Sequence, residues 1–170
     1  MIDFRYMRQD EFEHYARDLF SILYDNMSKI VPTGNSYEED YLFWFEANKD
    51  GLKQENCNIV ICVEKDIHEI VGYFQYSVKE RVFLMEEIQI KNSYQGKHNI
   101  FKGIYEFVFD NMREEVDFVE AYANKKNVKS IGILGKLGLL IVGENKRGTS
   151  YHFRGTFADL LNWYKGIEHK

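Results

Sequence analysis

Between Cys57 and Lys91 the chain carries three apolar, β-branched runs parted only by short polar breaks. The runs are Cys57 to Glu64, Ile70 to Val78 and Arg81 to Lys91, with Lys65-Asp66 and Lys79-Glu80 in the breaks. Links this short leave no room for a crossover helix, so the three runs predict an antiparallel meander. On both sides the hydrophobic period lengthens. Phe12, Tyr15, Ala16, Leu19, Ile22, Leu23 and Met27 recur at helical spacing, with Asp10, Glu13, Arg17 and Asp18 on the other side. Pro32, in Val31-Pro32-Thr33-Gly34-Asn35, breaks the chain. Ser36 then reads as an N-cap with Glu38, Glu39 and Asp40 in the first turn, and a second helix carries Tyr41 to Phe45 and fades by Gly51.

Ile2 to Tyr6 alternates and can open a sheet. After the meander, Ile100, Phe101, Ile104, Phe107, Val108 and Met112 restore a helical stripe. Phe118 to Ala123 reads as a strand, Val128 to Leu137 as a helix, and Leu139 to Val142 and Ser150 to Arg154 as strands. Thr156 to Tyr164 reads as a closing helix. The resulting order, β-α-α-β-β-β-α-β-α-β-β-α, predicts one α/β (α+β) layered domain over residues 1–170 with helices on both faces of the sheet.

Composition narrows the function classes. Hydrophobic residues make up 45% and charged residues 29% of 170, enough for a sizeable core under a wet surface. The net charge of −5 argues against a nucleic-acid platform, which carries a basic excess. Aromatic residues reach 16% beside a single Pro, which argues against disorder. No apolar run approaches the roughly 18–20 residues that cross a bilayer. Met1 to Glu13 is charged rather than signal-like, so a cytoplasmic protein is expected. Cys57 and Cys62 lie in one extended run, where their Cα atoms would stand roughly 16 Å apart. A disulfide needs about 7 Å. With no CxxC and no paired His ligands, no metal site is expected either.

Two segments can carry chemistry. The first is Ile88-Gln89-Ile90-Lys91-Asn92-Ser93, followed by Tyr94-Gln95-Gly96-Lys97-His98-Asn99-Ile100. A strand entering a helix through a polar turn offers unpaired backbone N–H groups at the positive end of the helix dipole, a ready phosphate site. Lys97 and a protonated His98 would add to the pull. The plainer reading is an ordinary turn with Asn99 as N-cap. The second segment is Asn124 to Leu139. There Asn124 or Asn127 caps a helix, Ile131, Leu134 and Leu137 face the core, and Gly138 ends it in a left-handed turn. Gly132 and Gly135 inside that helix each cost roughly 1 kcal/mol relative to Ala, or permit a close approach.

The element order with these two segments resembles the GNAT superfamily of acetyl-CoA-dependent N-acyltransferases. The resemblance implies a mixed, largely antiparallel sheet of about six to seven strands. The family's pyrophosphate loop reads Gln/Arg-x-x-Gly-x-Gly/Ala. This chain offers Gln95, Gly96, Lys97, His98, Asn99 and Ile100, with His98 and Ile100 in place of the two glycines. Asn127, Ser130, Lys136 and Gly138, with Leu139 for Phe, are similar to the pattern of the branch containing the ribosomal-protein N-terminal acetyltransferases. Leu134 stands where many members place a tyrosine general acid.

The resemblance implies an acyltransferase that moves an acetyl group from acetyl-CoA to a primary amine of a small molecule or peptide, by direct attack in a ternary complex. A base must first take the ammonium proton. Glu86 and Glu87 are the candidates, and because they alternate faces only one can point inward. Backbone N–H groups near Ile88 to Ile90 would receive the oxyanion. Gln95 to Ile100 would hold the pyrophosphate, and Asn127 and Ser130 would line the CoA and acceptor side. Glu120 is a third base candidate, and Tyr122 beside it a candidate acid. Glu38, Tyr41 and Trp44 would form an acidic, ring-lined mouth for a cationic acceptor, although acidic first turns and rings at helical spacing also arise for helix and core alone. His14, His68, His152 and His169 have no ligand spacing. No metal, nucleic acid or membrane partner is implied, and a homodimer is compatible with the resemblance. The alternatives are a degenerate domain that binds CoA or a protein partner without turnover, and an unrelated α/β ligand-binding module.

Overall fold

The ring-rich stripes and the meander take up the expected roles in a computed structural model, which describes residues 1–54 and 56–168. The strands are β1 (Ile2–Tyr6), β2 (Cys57–Glu64), β3 (Glu69–Lys79), β4 (Val82–Ile90), β5 (Phe118–Asn124), β6 (Leu140–Glu144) and β7 (Ser150–Thr156). The helices are α1 (Phe12–Met27), α2 (Tyr37–Gly51), α3 (Ile100–Asn111), α4 (Val128–Lys136) and α5 (Phe157–Glu168). The order is the one the sequence predicts. The seven strands form one mixed, mostly antiparallel sheet in the order β1-β2-β3-β4-β5-β7-β6. β1–β2, β5–β7 and β6–β7 run antiparallel, and β4–β5 parallel. The β4–β5 ladder extends from the Val82–Phe118 pair to the Met85–Ala121 pair, and β4 continues beyond it to Ile90.

The described chain divides into two compact units, Met1–Gln75 with Glu87–Asn111, and Tyr76–Glu86 with Met112–Lys170. In the first unit both sheet faces are covered. Ile59, Ile61 and Tyr73 join Phe12, Ala16, Leu19, Phe20 and Tyr41 in one core beneath α1 and α2. On the opposite face Phe74 meets Tyr105 of α3, and Gly103 of α3 lies so close to the Phe4 ring that no Cβ would fit. The aromatic excess knits α1 to α2. The Phe20 ring meets Tyr37, Tyr41 and Trp44, and Phe12 stacks on Phe45 at 5.4 Å. Ser36 caps α2 by accepting the Glu39 N–H at 3.2 Å.

In the second unit β7 lies between β5 and β6, and a bulge at Ile141–Gly143 kinks β6. Val119, Ala121, Phe153, Leu137, Leu139 and Leu160 are buried there. Most element ends shift by one or two residues from the sequence reading, α5 runs on to Glu168, and two of the shifts have a clear physical cause. The β3–β4 turn is Glu80-Arg81, both left-handed at φ +52° and +63°, so β4 starts at Val82. The Arg81 guanidinium binds Glu115 and Asp117 across this turn. Thr156 ends β7 instead of opening the last helix, and its Oγ1 accepts the Asp159 N–H at 3.1 Å as the cap of α5. Cys57 and Cys62 are free thiols, and burial pushes the Cys62 thiol upward. Among the described residues no helix is long and apolar enough to cross a membrane.

Candidate active site

Alternation along β4 separates the two carboxylates predicted as bases. Glu86 is exposed and accepts the Ser77 hydroxyl at 3.4 Å. Glu87 is half-buried, and burial raises its carboxyl to about 7 although a hydrogen bond from Gln89 opposes the shift. That bond is short, with Gln89 Nε2 donating to Glu87 Oε1 at 2.6 Å. Gln89 Oε1 in turn accepts from Asn26 Nδ2 of α1 at 2.9 Å, and the same Nδ2 donates to the Ile90 carbonyl at 2.9 Å. Tyr73 on β3 completes the group. Its side chain is fully buried, its hydroxyl has no hydrogen-bond partner among the described residues, and its ionisation is pushed well up by burial and by Glu87.

Beyond Ile90 the strand gives way to the predicted loop. Lys91 N–H donates to Val71 O at 2.8 Å, and a 3-10 turn follows over Asn92–Tyr94. Gln95 Nε2 then donates to the Ile90 carbonyl at 2.9 Å and holds the loop against the end of β4. Gly96, His98 and Asn99 are left-handed, at φ +71°, +59° and +52°. Gly96 follows the extended Gln95 in a tight turn closed by the Lys97 N–H, which donates to the Tyr94 carbonyl at 3.3 Å. Gly103 N–H makes the first helical bond, to Asn99 O. Asn99 therefore occupies the cap position at the N-terminus of α3, the positive end of its dipole. Gly96 to Asn99 are exposed, with open space over Gly96, whereas the Ile100 side chain is buried in the core. The Ile100 side chain thus does not fill the outer face of the loop.

The expected acceptor mouth has a different make-up. Arg17 holds Glu38 in a bidentate pair at 2.7 and 2.9 Å, and its guanidinium lies 3.7 Å over the Tyr41 ring. Tyr41 is buried, and Trp44 is half-buried against Phe12 and Phe20. The Glu38 charge is matched locally, and both rings belong to the α1–α2 core.

The second unit gathers another set. Glu120 accepts from Arg154 at 3.1 Å and has His152 Nε2 at 3.6 Å. Tyr122, half exposed, stacks on His152 with ring centres 4.6 Å apart. Asn127 caps α4, accepting the Ser130 N–H at 3.2 Å, and Gly138 at φ +92° ends it. Leu137 is fully buried, while Ile131 and Leu134 are half-buried. A Cβ on Gly132 or Gly135 would meet nothing within 4 Å. His68 is an exposed left-handed turn residue, and the exposed His14 meets the Tyr15 ring edge-on. His169 lies outside the described residues. Among the described residues no three His, Cys, Asp or Glu side chains are grouped to hold a metal ion.

Sequence reasoning assigned its candidates to one site; the structure has Glu87, Ile88, Ile90 and Gln95 to Ile100 in the first unit, and Glu86, Glu120, Tyr122, Asn127 and Ser130 in the second. The sequence reading missed Tyr73, Asn26 and Gln89. The signal for the last two was present: single amides on an apolar helical stripe and within an apolar strand run, each demanding a partner.

No family model matches the chain, and no curated protein is similar to it in sequence. Solved structures are similar in fold. PaiA N-acetyltransferase from Thermoplasma acidophilum, in complex with coenzyme A, superposes with a TM-score of 0.72 at 11% identity, over 92% of this chain and 99% of its own. The ribosomal-protein-S5-alanine acetyltransferase from Vibrio fischeri gives 0.58 at 18% identity, over 91% and 92%. The spermidine/spermine N-acetyltransferase SpeG from Vibrio cholerae gives 0.58 at 11%, over 95% and 98%. In its seven-stranded sheet and five helices the chain has the fold of the GNAT acetyltransferases.

Proposed function

We propose that the chain, as a single domain over residues 1–170, is an N-acetyltransferase that transfers the acetyl group of acetyl-CoA to a primary amine of a small molecule or peptide. The observation that carries this reading is Glu87. It is a half-buried carboxylate raised to about 7, on the strand that leads straight into the left-handed loop. A base with that affinity is ionised in half its copies near neutral pH and can hold the proton an ammonium must lose. The exposed loop from Gly96 to Asn99 and the N-terminus of α3 suit a pyrophosphate, and Lys97 adds charge. Backbone N–H groups at Ile88 to Ile90 are the donors assigned to the oxyanion. Tyr122, Asn127 and Ser130, in the second unit, stand as further candidate residues of the reaction. The fold relatives act on a polyamine and on a protein alanine, which supports an amine acceptor. A cytoplasmic site of action belongs to the same proposal, in keeping with two free thiols.

The test is release of CoA thiol from acetyl-CoA with spermidine or an alanine-initiated peptide, in the parent and in Glu87→Gln. Release is expected to need both protein and amine, to rise with pH through about 7 and then level, and to fall by roughly 10²-fold or more in Glu87→Gln. Binding of acetyl-CoA without release, or an unchanged rate in Glu87→Gln, would favour a non-catalytic CoA-binding domain or a different base.

A further inference from the structure

The side-chain amides between α1 and β4 have only one workable orientation. The Ile90 carbonyl can only accept, so Asn26 must present its Nδ2 to it. The second N–H of the same group meets Gln89 at 2.9 Å, and Gln89 must answer with its oxygen. Turning Gln89 over would set amide against amide. Its nitrogen therefore faces Glu87 and holds Oε1 as an acceptor at 2.6 Å. A protonated carboxyl cannot place its proton on that oxygen without losing the bond, so the proton goes to Oε2. The Ile90 carbonyl has one further lone pair, and Gln95 Nε2 takes it at 2.9 Å.

We propose that Asn26 is a positioning residue: through Gln89 it selects which oxygen of Glu87 can carry a proton, and through the Ile90 carbonyl it ties that carboxylate to Gln95 at the start of the left-handed loop. The two ends of the chain, Glu87 and Gln95, are the base and the first loop residue of the acetyl-transfer reading, on which this inference rests for its purpose. The wiring itself does not depend on it. Every member lies in the first unit, and Glu87 to Gln95 are nine consecutive residues. Among the described residues Tyr73, on β3, is a titratable group that feels the Glu87 charge; β4 turns the Gln89 amide toward Glu87, and α1 reaches it through Gln89.

The test is a carbon-13 carboxyl titration of Glu87 by NMR in the ligand-free protein, for the parent, Asn26→Ala, Gln89→Met and the double variant. In Asn26→Ala, Gln89 is free to turn its oxygen toward a protonated Glu87, so the midpoint is expected to move upward by about one pH unit. Gln89→Met, which removes the donor outright, is expected to move it in the same direction. If Asn26 acts through Gln89, adding Asn26→Ala to Gln89→Met shifts the midpoint no further. An unmoved midpoint in folded Asn26→Ala, or equal shifts in both backgrounds, would overturn the proposal. Asn26→Ser, which keeps one donor, is the milder variant should Asn26→Ala fail to fold, and it is expected to shift the midpoint less. Because the titration uses no substrate, a positive result with an inactive protein would separate the wiring from the acetyl-transfer reading.

Discussion

Glu87 is held between two opposed influences: burial favours its neutral form, and the Gln89 hydrogen bond favours its anion. Burial wins, and the consequence for stability has a definite sign. A carboxyl raised from the usual 4.5 to about 7 binds more proton in the folded state than in the unfolded state between those values. This contribution therefore declines as pH rises from about 4.5 to 7 and then stays flat. Glu87→Gln should be more stable than the parent at pH 8, and the advantage should shrink toward pH 5; thermal midpoints across that range check it. Glu11 behaves oppositely. The Arg5 guanidinium and the Arg8 N–H hold its carboxyl down to about 2, so its contribution is complete above about 4.5 and disappears as pH falls through 2. His98 makes the third residue-scale prediction. It keeps φ at +59° where the resembling loops have glycine, a conformation that costs roughly 1–2 kcal/mol for a residue with a Cβ. His98→Gly should leave stability and acetyl-CoA binding no weaker, whereas His98→Val should lower both; chemical denaturation and ligand titration distinguish them.

At the scale of elements, α4 carries two glycines without a packing reason in the chain itself, since a Cβ on either would stand in open space. Gly132→Ala and Gly135→Ala should each raise stability by about 1 kcal/mol. A loss of acetyl-CoA affinity in the same variants would show that the bare helix face receives the ligand. The elements were legible because the hydrophobic period changes from helical to alternating at each boundary, and because Ser36, Asn127 and Gly138 are the residue types that cap and stop helices. The β3–β4 turn was misread by one residue, since Arg81 gives no sign that it will adopt a left-handed backbone. Thr156 could end a strand or cap a helix, and it does both. The site was legible in part. Alternation placed one of Glu86 and Glu87 inward, but which one depends on how α1 packs on β4. The ring-lined mouth was not legible, because Arg17, twenty-one residues before Glu38, supplies the charge that neutralises it.

For the whole molecule, fold likeness at 11–18% identity means that patterning, rather than particular residues, has preserved the sheet order. The proposed acetyl transfer requires a loop that binds CoA with His98 and Ile100 where the resembling family has glycines. In this chain His98 is left-handed and the Ile100 side chain is buried, and the proposed pyrophosphate site rests on that arrangement. The most direct measurement is the thermal midpoint with and without acetyl-CoA, with CoA and ATP in parallel. At ligand a hundredfold above its dissociation constant, linkage adds about 2.7 kcal/mol. For a chain of this length that is a rise of roughly 5–11 °C. A rise of that order with acetyl-CoA and CoA but not with ATP is the expected result. No rise with millimolar acetyl-CoA would contradict it, and with it the assignment of Gln95 to Ile100 as the pyrophosphate loop.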